Sequence, residues 1–310
     1  MIDLHTHTTC SDGEYSPVEL LRLAAEYGLE AISITDHDTV AAYAPETWQE
    51  ADKLGLELVP GIEMSSRDEL ERIYHIIGLF IDPENAELLA TLAGCLERRR
   101  EVASGIMKLL QKEGWEVDLE AVLASRELIA KPHITRAVFA NPANKEKLLR
   151  DFGVMPTEGQ FIEATMILGK PCYAGSAKDL SPTEAIKAIK AAGGLAILAH
   201  PGCYVVDGQS TKELAEQFLG LGIDGFESIS VVHDHDNTEV DYKEYFSEFA
   251  ERHGLVISGG SDFHQLKGGS MGMTVDLGFR GYRFGVPYSV LSNLKKRLAQ
   301  PANAVSIQNP

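Results

Sequence analysis

Short β-branched runs alternate with helical patterns along most of this chain, and that rhythm constrains its fold more than any other feature. Residues 2–7 read as a strand. Ser16-Pro17 then opens a helix, with serine as N-cap, proline at the first position and Glu19 in the first turn, and Gly28 ends it. Residues 30–36 form a second predicted strand, 45–54 a helix closed by Gly55, 56–63 a third strand and 73–80 a fourth. Further on, Ser181-Pro182-Thr183-Glu184 starts a helix that Gly193-Gly194 ends. Residues 195–200, 223–229 and 255–259 read as the fifth, sixth and seventh strands, with a helix over 240–253. Strands alternating with helices imply a parallel sheet. Seven of them can close into a barrel or stay open. Between the two halves the texture changes. A long helix from Pro83 to Gly114 carries Arg98, Arg99 and Arg100, and the stretch to residue 175 has few β-branched runs. The expected organisation is one α/β unit, residues 1–98 with 176–310, interrupted by a helical insertion over 99–175.

At 310 residues the chain is long enough for one large core carrying such an insertion. A formal charge of −18 argues against duplex nucleic acid as partner, because duplex binding needs many Lys and Arg to neutralise phosphates. A small anionic substrate is compatible with it, since bound divalent ions reverse the field inside a pocket. No stretch approaches the roughly 20 apolar residues of a membrane span, and Met1-Ile2-Asp3-Leu4-His5 lacks the start of a signal peptide. Cys10, Cys95, Cys172 and Cys203 are far apart, which reads as free thiols and a cytoplasmic location.

The chemistry-bearing residues fall where predicted strands end. His5 and His7 close the first strand, and positions i and i+2 face the same side, so both imidazoles can converge on one ion. Asp12 follows in the loop, Asp36-His37-Asp38 closes the second strand and Glu63 the third. His75 lies in the fourth, His200 closes the fifth, and Asp262-Phe263-His264 follows the seventh. In parallel α/β folds these strand ends form the active rim. A single histidine at a strand end is usually a hydrogen-bonded structural residue, but so many on one rim point to a metal site. Nitrogen and oxygen ligands without thiolates suit Zn, Mn or Fe.

His5-Thr6-His7-Thr8-Thr9-Cys10-Ser11-Asp12-Gly13, Ile34-Thr35-Asp36-His37-Asp38, Pro60-Gly61-Ile62-Glu63, His75 with Gly78, Ala199-His200-Pro201 and Gly260-Ser261-Asp262-Phe263-His264 together resemble the PHP (polymerase and histidinol phosphatase) family. The resemblance spans residues 1–98 and 176–275. It implies a distorted (β/α)7 barrel holding two to three divalent ions. Carried over, His5, His7, Glu63 and Asp262 would hold one ion. Glu63 would bridge to a second, held also by His75 and His200, and Asp12, His37 and His264 would hold another. Asp12 stands where some relatives place a histidine. Within the family the chain is similar to stand-alone bacterial enzymes with a helical insert. These act as 3′,5′-nucleotide bisphosphate phosphatases and, in some cases, as 5′→3′ exoribonucleases on short RNA. Lys131-Pro132-His133-Ile134-Thr135-Arg136 and Gly169-Lys170-Pro171-Cys172-Tyr173 carry that narrower likeness.

For such chemistry Glu63, Asp262 and His264 are the catalytic candidates, with ligation and proton transfer not separable in sequence. Arg136 is the leading phosphate-binding candidate, because a guanidinium grips phosphate through two parallel bonds; the alternative is a helix-surface arginine. His133, Lys170 and His235 are further substrate candidates, against a helix-start residue, a solvated charge and a loop polar residue. Arg98 to Arg100 read as a solvated face, Tyr173 and Trp115 as core aromatics or base-stacking residues, and Glu227 as a support residue. Asp36 and Asp38 read as orienting the His37 site. The expected substrate is a nucleoside 3′,5′-bisphosphate, with an AMP-like product. The competing readings are a phosphatase for another small ester such as histidinol phosphate, and a non-catalytic metal-binding module.

Overall fold

The computed structural model describes residues 1–310 except 126–128, 176–178, 235, 237, 267–275, 281–284 and 301–310. In chain order its elements are β1 Ile2–Thr6, α1 Pro17–Glu26, β2 Ala31–Ile34, α2 Pro45–Leu54, β3 Glu57–Arg67 and β4 Ile73–Leu79. There follow α3 Ala86–Lys112, α4 Leu119–Ser125, α5 Lys131–Ala140, α6 Lys145–Phe152, α7 Glu158–Thr165 and α8 Pro182–Ala191. The last stretch holds β5 Leu195–Leu198, α9 Pro201–Val206, α10 Thr211–Gly220, β6 Gly225–Ile229, β7 Val232–His233, β8 Glu239–Val240, α11 Lys243–Arg252, β9 Val256–Gly259 and α12 Tyr288–Leu298. The helix starts read from sequence are real caps. Ser16 and Ser181 each complete a capping box, with Glu19 and Glu184, ahead of a proline. Among the described residues no helix is long and apolar enough to cross a membrane.

Seven strands form one curled sheet in the order β1-β2-β3-β4-β5-β6-β9, and β7-β8 is a separate two-stranded ribbon. The sheet is not wholly parallel as its rhythm suggested: β4 runs antiparallel to both β3 and β5. The reason lies in the β3–β4 connection, where residues 68–72 make a tight turn, with Asp68 N–H donating to the Arg72 carbonyl at 3.0 Å. A parallel crossover needs a dozen or more residues. The curl brings the segment after β9 back to β1. Thr6 bridges to Phe263, and His7 N–H donates to the Phe263 carbonyl at 2.8 Å.

One apolar cluster gathers the inner sheet face, including Ile2, Leu4, Ile77, Ile197 and Ile229, against Leu291 and Leu294 of α12. A second packs the outer face on α8, α10 and α11. A third draws on no strand and runs from Ala103 to Cys172, with Trp115, Val138 and Phe161 buried inside it. Helix α3 serves two of these: Leu88 and Leu92 belong to the sheet cluster, and Ile106 and Leu110 to the helical one.

Candidate metal centre

The expected ligands gather on one rim, from the end of β1 and the loop after it, from just past β2, β5 and β9, and from within β3 and β4. Glu63 does not close its strand, because β3 runs on to Arg67 in its antiparallel pairing with β4. His5 Nε2 and His7 Nε2 stand 3.2 Å apart. Asp262 Oδ1 lies 3.2 Å from the first and 3.1 Å from the second, and the Glu63 oxygens lie 3.4 and 3.3 Å from them. Glu63 also meets His37 Nδ1 at 2.9 Å, His75 Nδ1 at 3.1 Å and His200 Nε2 at 3.2 Å. Asp12 Oδ1 is 3.4 Å from His264 Nε2, and Asp12 Oδ2 is 3.9 Å from His37 Nε2. The donors fall into three overlapping groups: His5, His7, Glu63 and Asp262; His37, Glu63 and His75; and His7, Asp12, His37 and His264. His200 joins through Glu63. His37 stands between the second and third groups rather than in one alone.

The chemistry of this donor set fits divalent ions. The edge of a tetrahedron with bonds of 2.0–2.1 Å is about 3.3–3.4 Å, the spacing seen around His5 and His7. His5 Nδ1 donates to Glu227 at 3.0 Å, which leaves the Nε2 lone pair facing carboxylate oxygens. Acceptors aimed at one another call for a cation between them. Asp12 Oδ1, Glu63 Oε2, His37 Nδ1 and His200 Nδ1 are likewise buried without a hydrogen bond. In the metal-free chain the charges compensate one another. Burial pushes Glu63 up, but His75, His37 and His5 outweigh it and hold the carboxyl well below its usual range. Burial lowers His5, but Glu227, Glu63 and Asp262 hold it well above its ordinary value.

Supporting residues fix the rim. Glu227 also accepts the His200 N–H at 2.8 Å, so one carboxylate orients two ligand segments. Asp36 accepts Thr8 N–H at 2.7 Å and Ser11 Oγ–H at 2.5 Å, tying down the loop that carries Asp12. Buried Asp3 accepts Ser261 N–H at 2.9 Å and Gly278 N–H at 2.8 Å, securing the segment that bears Asp262; burial raises its carboxyl to about 6. Three rim residues hold left-handed backbone, Asp38 at φ 50°, His200 at φ 30° and Asp262 at φ 54°. Such conformations cost on the order of 1–3 kcal/mol each and persist where the surroundings enforce them.

Arg136, His133 and Lys170 do not line the cavity beside the rim. Arg136 Nε donates to Glu158 at 2.9 Å, inside the helical cluster, because that carboxylate is its buried neighbour across α5 and α7. His133 Nδ1 accepts the Ala130 N–H at 3.0 Å and caps α5. Lys170 lines a separate groove with Phe152 and Gln160. His235 lies outside the described residues. The cavity that opens beside Asp12, His37 and His75 is instead lined by Arg67, Arg98, Arg99 and Lys131. Arg99 is no solvated charge: its Nε donates to Asp38 at 2.6 Å and its Nη2 to Ser65 at 2.8 Å. An arginine run in an acidic chain was the signal for it. Trp115 lies in the helical core, and the Tyr173 hydroxyl accepts from Arg67 and donates to Glu71.

A curled α/β sheet with imidazoles and carboxylates converging on one rim, facing a cation-lined cavity, defines a hydrolase working through divalent metal ions. The PHP domain profile matches residues 3–131. A 5′-3′ exoribonuclease of Haemophilus influenzae is 33% identical over 84% of this chain and 89% of its own. A phosphoribosyl 1,2-cyclic phosphate 1,2-diphosphodiesterase of Eggerthella lenta is 31% identical over 90% and 98%. A 3′,5′-nucleoside bisphosphate phosphatase of Chromobacterium violaceum is 31% identical over 89% and 92%. The chain belongs to the PHP family and is a metal-dependent phosphoric ester hydrolase.

Proposed function

We propose that this enzyme removes the 3′-phosphate of nucleoside 3′,5′-bisphosphates, giving the 5′-monophosphate and phosphate. The observation that carries the reading is the cavity of about 260 Å³ beside the ligand rim. One wall is apolar, with Ile73, Val102 and Ile106, and the remainder carries four cationic side chains together with Asp12, Asp38, Asp179 and rim histidines. That suits a base, a sugar and a second anion. The Chromobacterium violaceum and Haemophilus influenzae relatives support a nucleotide substrate. The helical segment 99–175 acts in this reading as a cap whose residues 129–134 close the cavity, over a (β/α)7-type barrel.

Two or three divalent ions of Mn, Fe or Zn, held by His5, His7, Asp12, His37, Glu63, His75, His200, Asp262 and His264, would neutralise the phosphoryl oxygens and acidify the attacking water. Water adds to phosphorus, the bond to the ribose 3′ oxygen breaks, and that oxygen takes a proton. Glu63 is shared between donor groups and sets their spacing. His264 Nδ1 donates to the Asp262 carbonyl at 2.8 Å, which leaves Nε2 as the ligand or proton-carrying atom. Asp262 is the second candidate for moving that proton.

The test is phosphate release, with product identified by chromatography, from adenosine 3′,5′-bisphosphate, histidinol phosphate and phosphoribosyl 1,2-cyclic phosphate. The reading expects the first to be preferred, with adenosine 5′-monophosphate as product. Preference for either of the others overturns it. Release of mononucleotides from short RNA, the activity named for the Haemophilus influenzae relative, would extend it.

A further inference from the structure

Among the described residues, two cations of the cavity wall, Lys131 and Arg98, have no carboxylate partner, and Lys131 alone of the cavity's cations has no side-chain hydrogen bond either. Arg99 is neutralised by Asp38 and Arg67 by Asp179, each through a bond of 2.6–2.7 Å. Arg98 gives one N–H to the Cys95 sulfur at 3.1 Å and has no carboxylate within ion-pair distance among the described residues. The Lys131 ammonium has no hydrogen bond or ion pair among the described residues. It is half-buried, it lines the cavity, and Arg67 and Arg99 repel it. It is also the first residue of α5, the positive end of that helix. Burial together with those two arginines depresses its ammonium below the ordinary lysine value. Burial and both neighbouring arginines act against a cation at this position, and among the described residues no carboxylate lies within ion-pair distance of it. An arrangement that destabilises the empty protein and is relieved by an arriving anion is the signature of a binding residue.

We infer that Lys131, seconded by Arg98, forms an anion subsite for the phosphate of the substrate that is not cleaved. The inference rests on the nucleotide reading of the cavity and assigns the second phosphate to the start of α5. The scissile ester then lies toward Asp12, His37 and His75, which line the same cavity. The base and ribose fill the apolar stretch between, along Ile73, Val102 and Ile106. Binding energy from the remote anion can align the reacting ester at the rim.

Three measurements on the metal-loaded enzyme test the subsite: kinetics on adenosine 3′,5′-bisphosphate against adenosine 3′-monophosphate, calorimetric binding of adenosine 5′-monophosphate against adenosine, and thermal melting. Lys131→Met should lower kcat/KM for the bisphosphate about 10- to 100-fold, and that for the 3′-monophosphate far less. It should weaken adenosine 5′-monophosphate by a similar factor and adenosine far less. It should raise Tm by about 1–3 °C, since an unpaired cation is removed. Lys131→Arg should restore most of the bisphosphate preference. A structural lysine behaves otherwise: its loss lowers Tm and affects both substrates alike, and that result overturns the subsite. Unchanged affinity for adenosine 5′-monophosphate in Lys131→Met overturns it too. If the wild type binds adenosine 5′-monophosphate through Lys131 yet hydrolyses neither nucleotide, the subsite stands and the bisphosphatase reading fails.

Discussion

Glu63 lies within 2.9–3.4 Å of imidazole nitrogens on His5, His7, His37, His75 and His200, more contacts than any other rim carboxylate makes. Converting it to glutamine keeps the shape, removes the charge and turns one oxygen into a donor aimed at lone pairs. Glu63→Gln should therefore lose bound metal and nearly all turnover. Glu227→Gln acts only through His5 and the His200 backbone, so its loss should stay near 10- to 100-fold. Elemental analysis and kcat/KM of the two variants check this, and equal mild losses would sink the bridging role. The convergence of these imidazoles and carboxylates was legible in sequence because strand ends share a rim whatever the packing behind them. Arg136 was not, because an arginine's partner is set by tertiary neighbours: Glu158 lies on another helix, 22 residues away. Lys131 stood in the quoted motif, but only the cavity distinguishes it from a solvated lysine.

At the scale of elements, α3 is the beam that joins the helical segment to the sheet, and Arg99 pins it there through Asp38, which is 4% exposed. Breaking one member of a buried pair leaves the other charge stranded, which is worse than losing both. Arg99→Met and Asp38→Asn should each destabilise, and a double-mutant cycle should give a coupling of about 1–3 kcal/mol. Additive losses in denaturant melts would show that the pair does not anchor the helix. Gly260 plays a corresponding part where the sheet curls closed. A side-chain carbon there would stand 2.3 Å from the His5 Cβ and 2.4 Å from its N. Gly260→Ala should cost about 1–3 kcal/mol as an overpacked contact and displace His5, read as a lower Tm together with reduced metal content. The strands and helices were legible from their periods and caps. The direction of β4 was not, because Ser65, Ser66 and Arg67 interrupt the apolar run. They made the β3–β4 connection look long, whereas β3 continues through them along the rim.

For the whole molecule, the rim ties stability to pH in two opposite ways. His5 has its folded value raised above the ordinary 6.5 by its carboxylate neighbours. Its contribution is fully present below 6.5 and is lost as pH rises through the folded value. Glu63 and Asp12 are held below the ordinary 4.5 and 3.8. Their contribution is present above those values and is lost as pH falls toward the folded ones. The metal-free protein should therefore be most stable between about pH 4.5 and 6.5, where both sets are complete. Divalent ions compete with the same protons, since imidazole must be neutral to bind them. Their binding should release protons and should strengthen from acidic to mildly alkaline solution. At 100 times the dissociation constant a single bound ion adds about 2.7 kcal/mol, roughly 4 °C in Tm for a chain of this size. Melts with and without Mn²⁺ should show a small gain at pH 5.5 and a large one at pH 8, so that added metal moves the optimum upward. An equal gain at both values would mean that the ions bind somewhere other than this histidine-rich rim.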